Sequence, residues 1–571
     1  MSIIWKPNGS LDVATDPAQL PDTKGSVLTG DTGSITSYAL ARCKNLRLDL
    51  LGVAKTRFGT SKLNATAIST AIHKIIEQAG TRYTFAGAII YENETGIKTG
   101  LTSAAWSAIL YNAFNDITQD VFALNGTDRR RIEGGVVYEW GIDPPTTAPT
   151  VAAGSLTGLT GAYNAKYTYC RKSGSTVICE SNPSPAGAAA ISLNNGSLSA
   201  AWTASADSQV THVRIYRTLL NGGTYYHDQD VAIGTTTKDT NTADGALGEE
   251  VQTDHNRPPL GSFVIGPNYN GTCFIAKDNL LYFCLPKQPE YWPLLYFIEI
   301  SAPQFPVQCV VFFNGAPYCL TKSEIYNIQG TGQETFFPYR MEAITGAQGP
   351  QAAYSVHGKG IFHIGSDGIY LFSGSNDTKI SQEAFDPIFR GEDAGGLPGA
   401  TSLANSWIIN FGNKLYVGYT STGYTYPTNV LVLNLDNDRV TYYAYDMEIR
   451  TVAVDLQNNR LLAGDNDGYI WVLETGTTDN GTAIDWEAQS KDYMLQTRAH
   501  FPREAKYDVD ASTADSANGY LVLDGVVHQT HLLTGNNRDV RRRLVKTGNG
   551  QKAAIRISGT GTVAIYAVEF E

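Results

Sequence analysis

The chain has 571 residues, of which 17% are charged, with 56 Gly and 32 Tyr against 4 Met, a turn-rich, aromatic mixture that favours pleated strands over helices. At about 150 residues per domain, the length argues against one compact core and for three or four domains or one large repeat array. Forty-three basic against 55 acidic residues give a net charge of -12, which excludes a surface built to grip phosphate backbones, although a like-charged wall would let a polyanion slide past.

Residues 1–35 are rich in Pro, Gly, Asp and Thr and predict an extended arm lying on a neighbouring surface. Met1–Pro7 lacks the basic start and apolar run of a secretory signal, and no run of 18 apolar residues occurs, so no membrane insertion by this chain is expected. The stretch 36–142 reads as the first propeller strands and blades. Arg42–Asp49 alternates at period two, and Gly52 turns the chain into Val53–Arg57, a hairpin. Ile68, Ile72, Ile75 and Ile76 fit helical spacing, yet Thr66–Gln78 is read as a strand ending a blade. Gly87–Tyr91, and Val121–Gly126 with Gly135–Trp140, read as further blades.

Asp143-Pro144-Pro145 opens and Arg257-Pro258-Pro259 closes a segment, 143–258, of short strands with regular turn signals, which predicts an inserted β-sandwich. Few contacts are expected to cross such Pro-rich boundaries. The remaining blades are assigned to 259–505. There a polar turn followed by an alternating aromatic strand recurs in Asn279–Phe283, Ser323–Ile328, Gly365–Phe372, Lys414–Val417 and Asn466–Leu473. The spacing, near 45 to 50 residues, is that of one four-stranded propeller blade. Residues 506–571 read as a C-terminal β-sandwich or ring-closing strands, with Asp524-Gly525 as a hairpin turn. The fold class is therefore all-β: a β-propeller of about six to eight blades with an inserted β-sandwich and a C-terminal β region.

The sequence lacks a Gly-rich phosphate loop, a His-Glu-x-x-His helix and a Gly-x-Ser-x-Gly elbow, so no cofactor and no catalytic residue is assigned. Cys170 with Cys179, and Cys273 with Cys284, could face across hairpins as a zinc site or a disulfide; buried, reduced thiols are the favoured reading for all seven cysteines. His528 and His531 have no third ligand nearby, so no metal is assigned. Asp367 and Asp467 each precede Gly in matching repeat positions and would be the carboxylates of a glycosidase, but Asp-Gly is also what a tight turn demands. Asp465–Trp471 is similar to an Asp-box without its Ser/Thr before the Asp or its Thr before the Trp. The two basic runs, Arg129–Arg131 and Arg541–Arg543, read as solvated or subunit-facing, because consecutive strand residues point to opposite faces.

Two groups of residues carry a resemblance. Tyr167-Thr168-Tyr169, Glu180–Pro185 and Val213–Thr218 resemble the immunoglobulin or fibronectin type III-like module of many bacteriophage virion proteins. Lys44-Asn45-Leu46 through Gly52–Arg57, Phe122–Gly126 with Asp128-Arg129, and Pro286–Pro293 are similar to segments of the tail nozzle proteins, or tail tubular protein B, of short-tailed bacteriophages. The resemblance implies a non-enzymatic virion protein, assembled in the host cytoplasm. It further implies a homo-oligomer, a hexamer, beneath portal and adaptor ring proteins, with a channel for transient passage of double-stranded DNA and a side surface for tail fibres or tailspikes. The alternative is a β-propeller that binds or cleaves host surface glycans.

Overall fold

The computed structural model describes residues 3–5, 40–50, 53–111, 119–260, 264–266, 269–332, 334–381, 385–394, 396–436, 439–490, 492–494, 503–545, 550 and 552–570. The expected arm lies outside them apart from Ile3–Trp5, a strand paired with Val568–Phe570, and the Gly52 turn also lies outside. Almost all regular structure is β. The exceptions among the described residues are one helical turn, Asp386–Phe389, and a 3-10 turn, Asp244–Ala246. No described helix is long and apolar enough to cross a membrane.

The fold is all-β and propeller-like. Four strands in chain order make a blade-like sheet at 72–98, 107–139, 264–299, 309–340 and 353–379. A sixth set, 400–444, leads a larger sheet, and a seventh joins Ile449–Asp455, Arg460–Asp465 and Ile470–Leu473 to Ser61–Lys62 from the other end of the chain. Short turns make this possible: Asn314-Gly315 and Asp524-Gly525 have both residues at positive φ, the mirror-image turn whose twist suits a hairpin. The recurring aromatic segment falls on the third strand in four of its five occurrences: Leu280–Phe283, Ile325–Gln329, Ile369–Phe372 and Ile470–Leu473. Lys414–Ser421 is instead a second strand, where Gly418 lets the Trp407 indole lie against the backbone; a Cβ there would sit 2.3 Å from the ring. Ile72–Gln78 is a strand, but it begins its sheet rather than ending one.

By compactness the chain forms two units. One comprises 1–96, 318–326 and 340–571; the other comprises 97–317 and 327–339.

In the first unit, the C-terminal strands form two sheets around one apolar core containing Leu521, Ile557, Ile565 and Val568. Both sheets take strands from near the N-terminus. Leu40–Lys44 pairs with Asp485–Ser490, and Val53–Thr56 pairs with Ala564–Phe570. Leu40–Lys44 and Val53–Thr56, expected among the first blades, thus pair with the C-terminal region. Cys43, Leu46 and Ala54 are buried in its core; Asn45, at a φ of 54°, shifts the inward phase by one residue between Cys43 and Leu46. Arg57, fully buried, pins the junction. Its guanidinium donates to both carboxylate oxygens of Asp479 at 2.9 and 2.7 Å, to Asn45 Oδ1 and to the Ala444 carbonyl.

In the second unit, the segment 143–258 folds as a sandwich. A four-stranded sheet (Thr176–Glu180, Ala165–Ser173, His212–Thr218, Tyr225–Ala232) shares a core of Tyr167, Trp202, Val213 and Ile215 with strands Leu159–Tyr163 and Leu198–Ala201 of smaller sheets. The boundaries are not contact-poor. Ile142 and Tyr291, from outside the segment, complete that core, and the His255 ring stacks on Tyr291 at 3.9 Å.

Candidate functional site

A cleft of about 680 Å³ opens in the second unit between the edge strand Val136–Glu139, the Pro-rich entry to the sandwich and its 203–208 loop. Tyr138 and Tyr169 supply aromatic surface, and Glu139, Asp143 and Asp207 supply carboxylates. Each carboxylate is already engaged. Arg257 donates to Glu139 at 2.6 Å and to Asp143 at 2.5 Å, and Arg130 also pairs with Glu139. Asp207 accepts from the Gln209 backbone at 3.1 Å and from its side-chain amide at 2.8 Å. The Tyr169 hydroxyl donates to the Thr203 carbonyl. The cleft thus offers hydroxyls, aromatic faces and hydrogen-bonded carboxylates, two of them paired with arginine, a surface suited to polar contact.

The first arginine run departs from the expected solvated or subunit-facing stretch, since Arg131 is buried within the chain. Arg131 is 1% exposed and pairs with Glu290 at 3.2 Å, Asp120 at 3.2 Å and Glu133 at 2.8 Å. Glu290, equally buried, accepts from the Gly141 backbone at 2.6 Å and faces Arg171 of the sandwich at 3.5 Å. Burial pushes the Glu290 carboxyl up, against the pull of Arg131. Alternation still separates the run: Arg130 turns to Asp128 and Glu139, and Arg129 to the Pro258 carbonyl. Desolvation together with neighbouring Arg257 lowers Arg129 to about 10. The network joins blade to sandwich. Its acidic members, Asp120, Glu133 and Glu290, were not singled out from the sequence; the one available signal was a Glu set inside the apolar run Pro289–Pro293.

The second run, in Gly535–Arg543, does lie at the surface: Arg541 and Arg543 are exposed and Arg542 half-buried. Arg541 pairs with Glu504 at 3.4 Å, and nearby Lys506 pairs with Asp539 at 2.7 Å.

The carboxylates considered for glycoside cleavage serve turns or ion pairs. Asp367 accepts from Lys379 at 2.8 Å and Tyr370 at 2.7 Å, and the Lys379 bond leads in holding its carboxyl below the usual range. Asp467 is exposed, and the organising residue is Asp465. Its carboxylate accepts from the backbones of Asp467 and Tyr469 and from the Trp471 indole at 2.7 Å, so this Asp-box-like segment builds a turn. His528 and His531 lie three apart on one strand, with a register shift that leaves His528 unpaired across the ladder. His531 is bound by Tyr507 and Gln529, and burial lowers its pKa. Among the described residues, no three His, Cys, Asp or Glu side chains gather as a metal site. His363 has both ring nitrogens facing acceptors, the Gly346 carbonyl at 3.0 Å and Asp377 at 2.9 Å, which ties two strands of the 353–379 sheet to the segment that precedes it.

Comparison with known proteins gives little beyond this. No family model matches the chain, and no curated protein matches its sequence. Similar solved structures include Raptor from Chaetomium thermophilum, at 10% identity and a TM-score of 0.29, covering 76% of this chain and 29% of that one. The Pan2 WD40 domain from Neurospora crassa matches at 7% identity and a TM-score of 0.29, covering 73% of this chain and 95% of that one. This chain therefore spans under a third of the length of the Raptor chain it matches.

Proposed function

We propose that this protein is a structural subunit of the tail nozzle of a short-tailed bacteriophage. In this reading copies of the chain form a ring, a hexamer, around a channel for genome exit, docked to the portal and adaptor rings and offering a side surface to tail fibres or tailspikes. The observation that carries the reading is the position of the motifs behind the resemblance. Glu180–Pro185 and Val213–Thr218 lie in a sandwich inserted between successive blades at 107–139 and 264–299; Arg214–Glu180 braces it internally and Arg171–Glu290 ties it to the chain beyond it. Arg130, Arg131 and Arg541 are paired with carboxylates, which supports a reading in which they do not hold DNA.

The test is location. An antibody against 143–258 should label one end of washed particles at the tail; particles that contain none of this chain would end the proposal. A second reading, binding of host glycans, draws on the aromatic and hydroxyl lining of the 680 Å³ cleft. Glycan binding that is lost on Tyr138→Ala would favour it.

A further inference from the structure

Cys273 and Cys284 stand at the open end of the hairpin made by Phe274–Lys277 and Leu280–Phe283. The register pairs Phe274 with Phe283, so one step outward sets the two cysteines directly opposite each other, with both side chains on one face. Two contacts fix the pair. The Cys284 backbone donates to the Cys273 carbonyl at 3.2 Å, and the Cys273 backbone donates to Cys284 Sγ at 3.1 Å. The Cys284 sulfur therefore lies across the strand pair against the Cys273 backbone. Neither is exposed; Tyr111, Phe122, Trp140 and Trp292 share their core. The other candidate pair is the contrast. Cys170 lies opposite Glu180 and Cys179 opposite Arg171, so those two thiols face opposite sides of their sheet.

We propose that Cys273 and Cys284 form a dithiol modification site that a disulfide oxidant converts to a cross-strand disulfide, locking this hairpin. The inference stands apart from the proposed function. Directly opposite strand residues have Cα atoms about 4.5 to 5.5 Å apart, inside the roughly 4.4 to 6.8 Å a disulfide spans. With glutathione disulfide as oxidant, one cysteine thiolate attacks a glutathione sulfur and releases the first glutathione. The second cysteine then attacks the mixed disulfide, forms the Cys273–Cys284 bond and releases the second glutathione. Both cysteine protons end on the two glutathiones, and two electrons pass from protein to oxidant. Burial raises the Cys273 thiol, so the reaction requires the hairpin to open to the oxidant.

The full-length chain, incubated with glutathione disulfide, alkylated in denaturant and mapped by mass spectrometry, decides the matter. Alkylatable thiols should fall from seven to five, with one linked peptide pair joining Cys273 to Cys284. Cys284→Ser should abolish the link, and the wild-type map decides if that variant does not fold. Seven free thiols, a stable glutathione adduct without the internal bond, or a Cys170–Cys179 link would overturn the proposal.

Discussion

The inserted sandwich is nearly continuous in the chain and docks through a buried ion-pair network, whereas the C-terminal sandwich is assembled from distant segments by long-range strand pairing. Within the insert, Arg214 bridges Glu180 and Asp230, Lys172 pairs with Asp230, and Arg171 meets the buried Glu290. In the C-terminal sandwich the Thr56 hydroxyl donates to the Gly561 carbonyl, 505 residues away, and the core is almost wholly aliphatic and aromatic. Charge anchoring answers to pH and to loss of a single partner, because a buried ion without its counter-ion is costly. Long-range strand pairing answers to truncation, because its loop-closure entropy is offset only when both segments are present.

Removal of residues 1–56 should have the largest effect. It strips Leu46 and Ala54 from the C-terminal core and leaves the edge of Ala564–Phe570 unpaired, so hydrogen exchange across 504–570 should approach that of an unfolded chain while the insert stays protected. Equal loss of protection in both sandwiches would break the comparison. Glu290→Ala comes next. It leaves Arg131 and Arg171 short of a buried counter-charge and should cost about 3–5 kcal/mol in the thermal unfolding of the insert.

Acidification should then loosen the insert's charged face. Burial alone would raise the Asp230 carboxyl, but bonds from His227 and Lys172 and the charge of Arg214 hold it well below its ordinary value of 3.8. A depressed folded pKa contributes stability that is present above the ordinary value and lost as pH falls below it. Protection in Tyr225–Ala232, measured against the intrinsic exchange rate at each pH, should therefore fall on going from pH 5 toward pH 2. Replacement of Asp230 by Asn should flatten that dependence. Arg541→Gln should do least: its Glu504 pair is exposed, so a change below about 0.5 kcal/mol in chemical denaturation is expected.

The same contrast explains what could be read from the sequence. The insert was legible because its strands, turns and Pro-rich ends are consecutive, and the blades were legible because Leu280–Phe283 and its counterparts repeat at a fixed spacing. The pairing of Leu40–Lys44 with Asp485–Ser490 was not, since alternation at 42–49 states that one face is buried but not which strand lies beside it. Nor was the docking of the insert, because Arg131, Arg171 and Glu290 meet only after three separate segments fold. The turn role of Asp-Gly could be anticipated from residue chemistry, yet it is Asp465, two residues before Asp467, that accepts the bonds.

The proposed ring is tested most directly by the mass of the full-length protein in solution, measured by light scattering alone and after mixing with its adaptor ring. A closed assembly at six times the 61.8 kDa of one chain is the predicted result. A protein that stays at 61.8 kDa under both conditions would contradict it.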